Sequence, residues 1–304
     1  MAITAAMVKE LRQITSAGMM DCKKALTETD GDMEKAIDLL REKGLAKAAK
    51  KADRVAAEGL VDIVTSEDRS KCSIVEVNSE TDFVAKNDEF KTFVKDVAKV
   101  ALNNDVKTVE ELLATDFNSD IKVQDELNNK IAKIGENMNI RRFETLSNEG
   151  CKYVEYIHGA GKIGVIVELE TTSVTDAIVT LGKDVAMQVA AMNPKYVSRD
   201  DVDEEFINHE REILKQQALN EGKPEAIVEK MVVGRVNKLL KEVCLLDQPF
   251  VKNGDLTVSQ LVAEVAKNEG TSIAVKSVVR FEVGEGIEKK EENFADEVAK
   301  QLGN

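Results

Sequence analysis

Between Lys71 and Ala101 the apolar residues switch from every second position to every third or fourth, and few architectures accommodate that switch. Lys71 to Val77 alternates apolar and polar residues like a half-buried strand, whereas Phe90, Phe93, Val94, Val97 and Ala101 recur at helical spacing. A polar corner, Asn78-Ser79-Glu80-Thr81-Asp82-Phe83-Val84-Ala85-Lys86, joins them. The pattern then repeats weakly. Ile74-Val75-Glu76-Val77 leading to Lys95-Asp96-Val97-Ala98 is echoed by Ile166-Val167-Glu168-Leu169 leading to Lys183-Asp184-Val185-Ala186, which predicts two related α+β halves.

Around this pair the punctuation is clear. Residues 4 to 43 read as three short helices: one capped by Thr4 and carrying Met7, Val8, Leu11 and Ile14, broken at Ser16-Ala17-Gly18; one over 19–29; and one from Met33 that ends near Gly44. Lys43 to Arg54 is an Ala/Lys stretch, read as a solvated tether in preference to an RNA contact. A hairpin over 60–65 and 71–78, helices over 88–102, from Thr108 and around Leu127, and strands over 139–146, 152–158 and 164–170 follow. The segment 175–192 is helical. Two charged helices, 201–220 and 225–242, make an antiparallel hairpin that reads as an insertion. Thr257 with Gln260 opens another helix, 272–283 is a last strand, and a terminal helix carries Phe294, Val298 and Leu302.

The corner admits two readings. In one, Thr81 caps a short helix, Asp82 favours its positive end, and Phe83 and Val84 fold into the core. In the other, the corner points outward and Phe83 is a wedge for a partner protein. The second half has Thr172-Ser173-Val174-Thr175 at the equivalent place. A corner needed only for packing is expected to recur in the duplicate, so the asymmetry favours the wedge.

Composition excludes more than it identifies. A net charge of -14 argues against a general nucleic-acid binder, and no apolar run reaches the ~18 residues a membrane span needs. The start, Met1-Ala2-Ile3-Thr4, lacks the pattern of a secretory signal, so a cytoplasmic protein is expected. Cys22, Cys72, Cys151 and Cys244 are scattered, with only His158 and His209 as further soft ligands, so neither a disulfide framework nor a metal site is expected. Gly159-Ala160-Gly161-Lys162 approaches a phosphate loop, but Ile163 stands where Ser or Thr is required and Tyr156 where the first glycine belongs. No nucleophile accompanies His158. The chain reads as a binding protein rather than an enzyme, with a peptide-gripping scaffold and an enzyme with an unrecognised site as the competing classes.

Four segments together carry a resemblance: Ala17-Gly18-Met19-Met20-Asp21-Cys22-Lys23-Lys24-Ala25-Leu26, Thr81-Asp82-Phe83-Val84-Ala85, Lys133-Ile134-Gly135-Glu136-Asn137 and Arg280-Phe281-Glu282-Val283-Gly284-Glu285-Gly286. In this order, over essentially the whole chain, they closely resemble the bacterial elongation factor Ts family, the guanine-nucleotide exchange factors of elongation factor Tu. The resemblance implies an α+β chain with a three-helix ubiquitin-associated-like domain and basic tether (1–54), two α+β core halves (55–140 and 141–275), a helical hairpin inserted at 201–243, and a C-terminal strand-helix module (276–304). It implies that Asp82 and Phe83 intrude beside the magnesium site of the partner GTPase, with Thr81 and Val84 shaping the corner. By the same resemblance Arg12, Met19 and Met20 dock the N-terminal module on that domain, and His158 and Gly159 reach another domain. Gly161 departs from the basic residue of some relatives. No cofactor, no metal or nucleotide bound by the chain itself, and no membrane contact are expected; a homodimer or a two-plus-two assembly with the GTPase stays open.

Overall fold

The computed structural model describes residues 3–15 and 17–288. At the N-terminal end, α1 (Ala5–Thr15), α2 (Met19–Glu28) and α3 (Met33–Ala49) bury Leu11, Cys22, Ala25, Leu26, Ala36 and Leu40 against one another. These residues recur at three- and four-residue intervals, so each helix shows one apolar face. Asp30 and Gly31 turn the chain with φ of +53° and +86°, and the Asp32 carboxylate caps α3 by accepting from the Lys35 amide at 3.2 Å.

The first half follows. β1 (Glu58–Thr65) and β2 (Cys72–Ser79) form a hairpin with Ile63 opposite Ile74. The chain then makes α4 (Asp82–Lys86), α5 (Asp88–Asn103), α6 (Val109–Ala114) and α7 (Val123–Ile134), and β3 (Met138–Leu146) returns antiparallel beside β2. The second half repeats the plan with β4 (Cys151–His158), β5 (Ile163–Glu170) and α8 (Asp176–Met192). A helical hairpin, α9 (Glu204–Asn220) and α10 (Glu225–Val243), interrupts it. Two short strands absent from the sequence reading, β6 (Pro249–Phe250) and β7 (Asn253–Thr257), then α11 (Val258–Glu269) and β8 (Ala274–Glu282) complete it, with β5 central in the order β4-β5-β8.

The period of two explains how four layers stack. Along β2, Val75 and Val77 point to α5, where they meet Phe90, Phe93, Val94 and Val97; Ile74 points the other way. Along β5, Val165, Val167 and Leu169 face α8, and Ile166 faces away. The two opposite faces close on each other through Val61, Ile63, Ile74, Tyr153, Ile166 and Phe281. β2 is therefore buried at every position, including Glu76 and Asn78.

Gly164 sits where the sheets approach most closely: a Cβ there would stand 2.4 Å from Val61 Cγ1 and 3.2 Å from Ile74 Cδ1. Gly164→Ala should therefore force the sheets apart and lower stability by about 1–3 kcal/mol, read as a lower urea midpoint with an unchanged slope. An unshifted midpoint would mean the two sheets slide freely.

Two sequence expectations change. The third helix does not end near Gly44 but runs to Ala49, so half of the supposed tether is helix. Gly44 is buried where α3 crosses α7, with the Asn129 side chain 3.7 Å from where a Cβ would be. Packing of that helix pair outweighs the roughly 1 kcal/mol a single glycine costs a helix. The last strand does not stand apart: β8 pairs with β5 along its whole length, so residues 274–282 complete the second sheet. The expected terminal helix with Phe294, Val298 and Leu302 lies outside the described residues. As for the hairpin, the chain leaves after Asn193 and returns at Leu245 and Leu246, whose amides donate to the Tyr196 and Val197 carbonyls at 2.9 Å, so α9 and α10 start and finish at one place. They close on Ala218, Val228, Val232, Val236 and Leu240.

Candidate functional site

The corner combines features of both readings. Thr81 caps α4, its hydroxyl accepting from the Val84 amide at 3.5 Å, and Val84 and Ala85 are buried in the first half's core. Phe83 goes the other way. Its ring is 78% exposed, the highest value of any large apolar side chain among the described residues, so of the two readings of the corner the one that folds Phe83 inward with Val84 does not hold. The physical reason is geometric: on a five-residue helix neighbours point about 100° apart, and Val84 and Ala85 already occupy the inward arc.

What keeps an exposed ring in place is the backbone beneath it. Glu136 grips Thr81 twice, accepting from its hydroxyl at 2.7 Å and its amide at 3.0 Å. Glu136 reaches there because Gly135 ends α7 in the left-handed region (φ +91°), which turns the next residue toward the corner. Asn137 extends the grip: its amide donates to the Glu80 carboxylate, and its side chain donates to the Arg54 carbonyl at 2.7 Å. Glu136 was legible only as part of the Lys133–Asn137 resemblance; a glycine closing a helix before an acid is a signal, but one without an address until the fold supplies it.

Glu136→Ala removes two hydrogen bonds to a charged acceptor at once. It should loosen the corner by about 1.5–3 kcal/mol and speed hydrogen exchange of the Thr81 amide while the middle of β2 stays protected. Equal exchange in parent and variant would show that α4 needs no such anchor.

Asp82, half-buried, is paired with Lys86 one turn along at 2.6 Å, and the hydrogen bond from that lysine holds its carboxyl below the ordinary range. Lys86 Nζ also lies 5.8 Å from the Phe83 ring centre. The exposed face thus presents an aromatic ring, a carboxylate and an ammonium together.

The other expected contact residues fall on two further places. Arg12, Met19 and Met20 line a groove of about 660 Å³ on the N-terminal module with Ile3, Val8 and Lys23, and both methionines are exposed. That module is tied to α7 by Asn129, which donates to the Thr15 carbonyl at 2.7 Å, and by the Arg41–Asp125 pair at 2.9 Å. α7 therefore carries the module on its length and the corner at its end. His158, the last residue of β4, and Gly159, in the turn that leads to β5, are both exposed, with Tyr156 and the His158 ring 2.9 Å apart through the phenol oxygen and Nδ1. Among the described residues no three His, Cys, Asp or Glu side chains group as metal ligands would, and no helix is long and apolar enough to cross a membrane.

Comparison with known proteins gives a consistent result. A family model described as Elongation factor TS matches residues 80–285, from the corner to the segment after β8. The chain is 65% identical over 300 residues to the elongation factor Ts of Clostridioides difficile (strain 630), with 99% of each chain covered. It is 59% identical over 301 residues to that of Clostridium perfringens (strain SM101 / Type A) and 58% over 302 to that of Clostridium novyi (strain NT), again with 99% of each chain covered.

Proposed function

Because the chain belongs to the elongation factor Ts family, we propose that it is the guanine-nucleotide exchange factor of elongation factor Tu, binding the GDP form, disturbing its magnesium site and releasing GDP so that GTP can enter during translation elongation. The observation that carries this reading is a phenylalanine left 78% exposed on a corner that Glu136 and Asn137 tie down by hydrogen bonds to Thr81 and Glu80. An apolar ring held in water by the fold is a contact awaiting a partner.

Exchange of this kind needs no chemical step and no cofactor in the factor itself. Magnesium bridges protein and phosphate oxygens in such GTPases, so shifting the metal's protein ligands weakens the nucleotide without touching it. Asp82 and Phe83 would do the shifting, with Thr81 and Val84 holding the corner's shape. Arg12, Met19 and Met20 would dock the module of residues 1–54, and His158 and Gly159 would reach a second domain. A thousandfold weakening of nucleotide requires about 4 kcal/mol. Burying one phenylalanine supplies about 1.5–3 kcal/mol. The docking surfaces must therefore contribute, and a peptide of the corner alone should not release GDP.

Coupling is reciprocal: whatever the factor takes from nucleotide affinity, nucleotide takes from factor affinity. The test follows directly. Labelled GDP bound to purified elongation factor Tu should leave far faster when this chain is added, and excess GDP or GTP should dissociate the complex. Unchanged GDP release would exclude the exchange role; a complex indifferent to nucleotide would exclude the reciprocal mechanism.

A further inference from the structure

The turn that presents His158 and Gly159 continues into Gly161 and Lys162, and these two residues tie it to the other half of the molecule. Three successive residues of the turn, Gly159, Ala160 and Gly161, hold φ of +59°, +54° and +95°. Ala160 has a side chain, so this conformation persists only where the surroundings over-determine it. They do. The Val61 amide donates to the Gly161 carbonyl at 2.8 Å, and the Val283 amide to the Lys162 carbonyl at 2.9 Å. A Cβ on Gly161 would lie 2.6 Å from Leu60 Cδ2, so the turn rests with its bare backbone on β1. Lys162 Nζ reaches Glu58 Oε2 at 2.5 Å.

Glu58 lies opposite Ser79, the last residue of β2, and its carbonyl accepts from Asn78 at 3.1 Å. From Ser79 the chain passes through Glu80 and Thr81 to Asp82. Asp82 in turn feels the charges of both Glu58 and Lys162. The turn of the second half and the corner of the first thus both border the start of β1.

Resting on the exchange-factor reading, we infer that Gly161 and Lys162 are positioning residues for exchange: they lock the 158–160 turn against the Thr81–Phe83 corner, so that the two contacts enter the partner as one rigid pair. Neither needs to touch the GTPase. A Lys162–Glu58 pair that is partly exposed adds little to folding, and its effect lies in holding the spacing of two prongs. When one prong must displace metal ligands while the other grips a second domain, slack between them is lost from the step that moves the metal rather than from the encounter.

The experiment measures labelled GDP release from elongation factor Tu against rising concentration of the full chain, giving a maximal rate and a half-saturating concentration. Lys162→Met, which keeps the aliphatic stem, should lower the maximal rate about threefold to tenfold with less than about a twofold change in half-saturation. Lys162→Arg should restore it. In a Phe83→Ala background the Met change should cost less than about twofold, because a spacing no longer used cannot be spoiled. An unaltered maximal rate in Lys162→Met, a change confined to half-saturation, an equal loss in Lys162→Arg, or the same fold loss in both backgrounds would each overturn the inference while leaving the exchange role standing. A parent chain that fails to release GDP would remove both together.

Discussion

Phe83→Ala should slow factor-driven release of GDP from elongation factor Tu by roughly tenfold to a hundredfold, the span that about 1.5–3 kcal/mol of lost burial converts to. The loss belongs to the transition state for release, so it should appear in the efficiency of exchange measured by stopped-flow with a fluorescent GDP. Folding stability should not change, because Phe83 is exposed and the residues that build α4, Thr81, Val84 and Glu136, remain. That pairing of results separates a wedge from a core residue: the latter would lose stability by about 3–5 kcal/mol on truncation. Asp82→Ala should also slow release, and it frees Lys86 from its pair. If both variants exchange GDP as fast as the parent, the corner is not where the magnesium site is disturbed, whatever the family.

The second large effect is on folding, at Glu76. Its carboxylate is wholly buried in the middle of β2, yet it accepts from Arg142 at 2.6 Å, Arg141 at 3.1 Å, Asn78 at 3.0 Å and the Gly284 amide at 2.8 Å. Arg142 continues to the Glu282 carbonyl and stacks on Phe281, 4.2 Å from the ring centre. One carboxylate thus joins β2 and β3 of the first half to the end of β8 from the second. Glu76→Ala would leave two guanidinium groups without their shared anion and should cost about 3–5 kcal/mol, the usual penalty for halving a buried ion pair.

The same cluster predicts a pH dependence with a definite sign. Burial alone would raise the Glu76 carboxyl, but the Gly284 amide, Asn78 and Arg142 outweigh it and hold it below the ordinary carboxylate range. A carboxyl depressed on folding contributes stability that is present above its unfolded value, about 4.3, and is lost as pH falls through the lower folded value. The difference in urea midpoint between parent and Glu76→Ala should therefore be full at pH 7 and shrink below about pH 4. A difference that stays constant down to pH 3 would show that Glu76 stabilises through shape and not charge.

Most of the helices and strands were legible because their cause is local. Periods of two and of 3.6 and the caps at Thr108 and Thr257 act within a few residues, and each lies in the sequence where the fold puts it. The repeat Ile74–Val77 and Ile166–Leu169 also foretold two sheets each with its own helix. The misses share a cause. Gly44 looked like a helix end because its partner, Asn129 on α7, is far along the chain. β8 looked detached because its pairing with β5 crosses an entire helical hairpin.

The candidate site divides in the same way. Residue types alone marked Thr81 to Val84 as a strand-to-helix corner carrying one ring and one acid, since capping and period are properties of neighbouring residues. Which way the ring faces was left open, because inward and outward satisfy the same local rules. That choice was made by Val84 and Ala85 filling the core below it and by Glu136 fixing the backbone from the end of a distant helix. The seat of the 158–162 turn on β1 is likewise a contact between halves that no single stretch encodes, for its energy resides in sheets brought together only when the chain has closed on itself.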